Sequence, residues 1–98
     1  MMSEEALGLV KSSVEEMSEE LGYESLRSVS ADTALFGGAD GIDSLSLVRI
    51  VAEVERAAEE KFGKRIVLAD ERAMSRRNSP FRTVGSIAEL LTERLGEA

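Results

Sequence analysis

The segment Gly41-Ile42-Asp43-Ser44-Leu45 is where this chain has the residue types and spacing for chemistry. It lies where a glycine-punctuated stretch gives way to a helical pattern, so a serine hydroxyl is expected at a helix start. First-turn N–H groups lack intrahelical partners there, and the helix dipole is positive at that end. A phosphodiester formed on Ser44 would sit in a favourable field. Gly41 gives a modifying enzyme close access to the backbone, and Asp43 sets a carboxylate beside the hydroxyl. The plain alternative is an ordinary N-cap, with Asp43 or Ser44 satisfying amides of the next turn. Asp-Ser-Leu is a short string, and position alone favours the cap.

Other chemistries are narrowed by composition. The chain has no Cys and no His. That excludes disulfides, thiolate metal sites, a cysteine nucleophile, a Ser-His-Asp triad and histidine zinc sites. Asp40, Asp43 and Ser46 lack the ligand spacing and closing Glu of an EF-hand. No enzymatic activity is expected.

The elements that must position Ser44 are read from periodicity. Leu7, Val10, Val14, Met17 and Leu21 follow the 3-4 spacing of an amphipathic helix, capped by Ser3 and stopped by Gly22. Its other face, with Lys11, Glu15, Glu16, Glu19 and Glu20, reads as solvated. Residues 22–42 read as a long loop, pinned to the bundle by Leu26, Val29, Leu35 and Phe36; a loop this long usually has a job. A second helix is predicted over Ser44 to Phe62, with Ile50, Val51, Val54, Ala58 and Phe62 inward and Gly63 ending it. Lys64 to Leu68 is a connector, because a lone strand would have no partner. Asp70 caps a short third helix through Ala73 and Met74, ending near Arg76-Arg77-Asn78. Pro80 marks a loop, and Thr83 caps a last helix carrying Val84, Ile87, Ala88, Leu91 and Leu95, with Leu90 alongside. The expectation is one domain over residues 1–98, an irregular all-α four-helix bundle with three long helices, a short third and a long first loop.

Charge is asymmetric. Residues 1–43 hold ten carboxylates against two cations, residues 44–98 nine against ten, and the net charge is −7. Such a chain disfavours nucleic acid and anionic membranes and favours basic partners, although simple solubility explains it too. Met1-Met2-Ser3-Glu4-Glu5 lacks the basic start and apolar run of a signal peptide. No apolar stretch approaches the ~20 residues of a membrane span. A soluble, cytoplasmic monomer is expected.

The stretch Asp32-Thr33-Ala34-Leu35-Phe36, then Gly41-Ile42-Asp43-Ser44-Leu45-Ser46-Leu47-Val48, Ile50-Val51 and Glu53-Val54-Glu55, resembles the acyl carrier protein family. The closing Thr83-Val84-Gly85-Ser86-Ile87 resembles it as well, so the likeness spans roughly residues 5–95. The resemblance implies that a phosphopantetheinyl transferase attaches 4'-phosphopantetheine from coenzyme A to Ser44. The terminal thiol then carries acyl groups as thioesters between acyl-transferring or condensing enzymes of a fatty-acid, specialised-lipid or polyketide-type pathway. It further implies docking on the second helix, with Leu45, Val48 and Ala52 as exposed apolar contacts beside Asp43; the alternative for these three is core packing. Val51, Ala58, Ile66, Val67, Met74, Ile87 and Leu91 either line a cleft for the acyl chain or form an ordinary closed core.

The chain departs from the family where Ser46 stands in place of a common Asp and Arg49 in place of a common Glu. The second helix reads about one turn longer, through Glu59, Glu60 and Lys61, and a basic stretch follows: Lys64, Arg65, Arg72, Arg76, Arg77 and Arg82. These arginines either pair with surface carboxylates, each pair being worth little, or mark a specialised carrier whose partners differ from those of general fatty-acid synthesis. Arg49 is then a partner-binding residue. A peptidyl carrier protein and a helical interaction module without prosthetic group are the competing functions.

Overall fold

The apolar spacing of the first segment becomes helix α1, Glu4–Leu21, in a computed structural model that describes residues 3–35, 42–74 and 79–97, without the side chains of Ser44, Arg72, Met74 and Glu97. The Ser3 hydroxyl accepts the Ala6 N–H at 3.0 Å, and Gly22 closes the helix at φ 79°, a left-handed turn that glycine adopts without steric cost. Its buried face holds Ala6, Leu9, Val10, Val14 and Met17, while Leu7 and Leu21 are half-buried at its margins. The stripe is wider than the 3-4 spacing suggests because α1 packs against two helices, α2 and α4.

Helix α2, Ser44–Phe62, buries Ile50, Val51, Val54 and Ala58 and ends at Gly63. One turn of helix, α3 (Glu71–Met74), follows, with the Asp70 carboxylate accepting the Ala73 N–H at 3.0 Å. The expected continuation to Arg76, Arg77 and Asn78 lies outside the described residues. Helix α4, Val84–Glu97, opens on a reciprocal cap. The Ser86 N–H donates to Thr83 Oγ1 at 3.0 Å, and the Thr83 N–H donates to Ser86 Oγ at 2.9 Å. Val84, Ile87, Ala88, Leu90 and Leu91 complete the core. Burying each valine, leucine or isoleucine of this set stabilises the fold by about 1.5–3 kcal/mol. The protein is an all-helical bundle, and the only β-type contact among the described residues is an isolated bridge between Ala34 and Thr83.

The first loop is more ordered than its composition suggests. A 3-10 turn spans Glu24–Leu26, a tight turn follows at Ser30 to Thr33, and Leu26, Val29 and Leu35 are buried; Phe36 lies outside the described residues. Two carboxylates hold the connections. Glu15, expected on the solvated face of α1, accepts the Val29 N–H at 3.0 Å. Glu55 of α2 accepts the N–H groups of Leu68 at 2.6 Å and Ala69 at 3.3 Å. The amides of Val29 and Leu68 are partly withdrawn from water and need such partners. Arg94 of α4, only 8% exposed, grips the Asp70 carboxylate with both terminal nitrogens and ties α4 to the start of α3.

Candidate functional site

The site is built where the first loop enters α2. Residues 31–35 are laced to the start of α4: Gly85 N–H to Ala31 O at 2.7 Å, Val84 N–H to Thr33 O at 3.0 Å, and Leu35 N–H to Arg82 O at 2.7 Å. Gly85 is required by this approach, since a Cβ there would stand 2.8 Å from the Ala31 carbonyl oxygen. Leu35 O in turn accepts the Ile42 N–H at 3.2 Å, and both residues are buried. The chain is thus clamped at Leu35 and again at Ile42, two residues before Ser44. Gly41 and Asp40 lie outside the described residues.

Asp43 is the N-cap of α2. Its backbone is extended, and its Oδ1 accepts the Ser46 N–H at 2.7 Å. That hydrogen bond, with a further one from the Ser46 hydroxyl, holds the Asp43 carboxyl below its ordinary value. Of the two N-cap candidates, Asp43 fills the role and Ser44 is the first residue within the helix. The Ser44 side chain, and with it the expected exposure of the hydroxyl, lies outside the description.

Tyr23, directly after the α1 stop, reaches this junction. Its hydroxyl accepts the Asp43 N–H at 3.4 Å and lies 3.5 Å from Ser46 Oγ. Both contacts are long and individually weak, but they join the end of α1 to the start of α2. The sequence reading missed this residue; the one visible signal was the chain's only tyrosine beside the glycine that ends α1.

Beyond Ser44 the helix turns an apolar face outward. Leu45 is 72% and Val48 63% exposed, and Ala52 is exposed beside them. Core packing is therefore not their role. Arg49 is exposed in the same face and makes no ion pair among the described residues. Its neighbour one turn on, Glu53, is taken by Arg56, which also pairs with Glu60 at 2.8 Å. This pairing lowers the Glu53 pKa. Ser46, read from sequence as a change on the same face, is instead 8% exposed and turned to Tyr23. Lys64, Arg65 and Arg82 are exposed; Arg76 and Arg77 lie outside the described residues.

The residues grouped as an acyl cleft differ in their surroundings. Ala58, Ile66, Ile87 and Leu91 are buried in the closed core, Val67 is 46% exposed on the connector, and the Met74 side chain lies outside the description. Alternation along the extended connector turns Val67 out and Ile66 and Leu68 in. Val51 borders an open cavity. That cavity, about 210 Å³, runs along α2 and is lined by Leu47, Val48, Val51, Ala52, Glu55, Ala69 and Phe81. Leu47, Ala69 and Phe81 were not singled out from sequence. The signal for Leu47 was available, since Leu47 and Val51 share a helix face at i, i+4.

The junction therefore sets a helix start, exposed Leu45 and Val48, and the groove in sequence along α2. No helix among the described residues is long and apolar enough to cross a membrane. No protein-family model, no curated protein and no solved structure matches this chain.

Proposed function

We propose that this protein is an acyl carrier protein, its helices forming the irregular four-helix bundle of such carriers, with 4'-phosphopantetheine esterified to Ser44. The observation that carries the reading is the division of labour at the start of α2. Asp43 supplies the cap, so capping does not call on Ser44, the first residue of the helix, which is the residue we assign as the one esterified by a phosphopantetheinyl transferase. The bound arm supplies a terminal thiol for acyl carriage, which a chain with no cysteine cannot provide itself. The chain's own residues do the rest. The helix start stabilises the phosphate, the clamp at Leu35–Ile42 and the Tyr23 contacts fix the junction, and Leu45, Val48 and Ala52 offer an apolar face to partner enzymes.

Incubation with coenzyme A and a broad-specificity transferase tests this by intact mass. The wild type is expected to gain one phosphopantetheine and Ser44→Ala none, with the variant retaining its melting temperature. A helical interaction module without prosthetic group would gain nothing, and that result would remove the carrier reading.

A further inference from the structure

A second groove, about 640 Å³, opens between α1 and α2. Its α2 wall begins at Arg56, about 18 Å along the helix from Ser44. Two residues that line it weaken the fold without serving it. Gly8 sits inside α1, its φ is not positive, and a Cβ there would meet nothing within 4 Å. Glycine destabilises a helix interior, so neither backbone nor packing within the chain accounts for it. Ser13 is only 2% exposed, yet its hydroxyl makes no hydrogen bond among the described residues. That oxygen is not enclosed by protein, so it faces the groove that the residue lines. A hydroxyl so placed is answered only by what enters the groove.

Helices α1 and α2 run antiparallel, since Tyr23 reaches the start of α2 while Ser3 and Glu5 share another cavity with Phe62 and Lys64. Lys61 therefore stands toward the Gly8 end of the groove and Glu16 at the other, about 12 Å further along α1. Both are exposed, and neither makes an ion pair among the described residues. Arg56 and Glu60, on the same rim, neutralise each other at 2.8 Å. Between the two ends the lining is small and uncharged: Ser12, Ser13 and Ala57. Gly8 and Ser12, four residues apart on one face, let another backbone approach closely. A second copy of this chain is a poor occupant, because crossing α1 on α1 sets Glu5, Glu16 and Glu19 against their like.

We propose that the α1–α2 groove is a docking site for a helix of another protein, one that sets a basic residue against Glu16 and an acidic residue, about two turns away, against Lys61. The unpaired charges fix the direction in which that helix lies, Gly8 and Ser12 admit its backbone, and the Ser13 hydroxyl bonds a polar group that it brings. The site is separate from the Ser44 junction and does not depend on the carrier reading, so an occupant there leaves the start of α2 open.

The probe is a phage-displayed library of alanine-based helices with randomised positions on one face. It is selected on the full-length wild type and counter-selected on Gly8→Leu. Enriched peptides are expected to carry Lys or Arg and Asp or Glu about two turns apart, with small residues between. The selected peptide, synthesised and labelled, should bind Gly8→Leu and Glu16→Lys about tenfold more weakly, while Glu59→Lys, exposed outside the groove, should change little. Replacing the peptide's basic residue by Glu should restore binding to Glu16→Lys. Gly8→Leu and Ser13→Ala should each raise the melting temperature by a few degrees, because both remove a feature that the fold does not use. A library in which no peptide distinguishes wild type from Gly8→Leu overturns the proposal. So do selected peptides without the charge order, a lowered Tm in Gly8→Leu, or a sedimenting dimer that Gly8→Leu dissociates, which would make a second copy the occupant. Mass gain at Ser44 is expected in every one of these proteins, so the docking proposal and the carrier reading fail separately.

Discussion

Asp43 holds the start of α2 through one carboxylate oxygen, and the same bond makes its charge conditional on pH. The Ser46 N–H, then the Ser46 hydroxyl, lower its pKa in the folded state from the ordinary value of 3.8. A depressed folded pKa means the stabilisation is present above the unfolded value and is lost as pH falls through the folded one. Melting temperature against pH should therefore show wild type losing a small increment below pH 3.8. Asp43→Asn keeps a capping oxygen and should lack that increment. Equal acid slopes for the two proteins would show that the carboxylate charge does not contribute. Cap chemistry here was legible in the sequence only as a choice between two neighbours. The structure selects Asp43 because its extended backbone carries the carboxylate to the Ser46 amide.

At the level of elements, the junction depends on a lattice of backbone bonds between the first loop and the start of α4. Gly85 sits inside α4, where replacing glycine by alanine ordinarily stabilises a helix by about 0.5–1 kcal/mol. Here the added methyl would stand 2.8 Å from Ala31 O and 3.3 Å from Ala31 Cβ. Overpacking of this kind costs about 1–3 kcal/mol, so the clash outweighs the propensity gain. Gly85→Ala should lower the denaturant midpoint, and a raised midpoint would refute the close approach. Because Ala31 to Leu35 lead directly into the Leu35–Ile42 hydrogen bond, the same variant should slow transferase loading of Ser44. Nothing in the apolar spacing of α4 announced this role. Gly85 stands at a position where helix propensity alone would favour alanine.

Over the whole molecule, charge is distributed so that α2 differs from the acidic α1 behind it. Arg49 lies in the exposed apolar face without an ion pair among the described residues, while Glu53 and Glu60 are engaged by Arg56. On the carrier proposal, partners that dock beside Leu45 and Val48 would meet that cation first, and like charges facing each other cost binding energy. Arg49→Glu is therefore expected to improve capture of general fatty-acid elongation enzymes by the phosphopantetheine-loaded protein several-fold, most clearly at low salt, where screening is weak. Equal capture by both proteins would count against a specialised partner set.

The three long helices were legible because a 3.6-residue period and the Ser3, Gly22, Gly63 and Thr83 punctuation are local properties of the chain. So was the placement of Ser44 at a helix start. What periodicity does not contain is which loop amides are withdrawn from water and who answers them. Glu15 reads from sequence as part of a solvated face, and Glu55 and Tyr23 carry no structural role in that reading. Packing brings each within reach of a distant backbone N–H. The groove was not legible for the same reason: it is bounded by Leu47, Ala69 and Phe81 from three separate segments, whereas Ile87 and Leu91 share a stripe with core residues. Helix faces follow from neighbours three and four apart, but a cavity exists only where segments distant in the chain fail to fill the space between them.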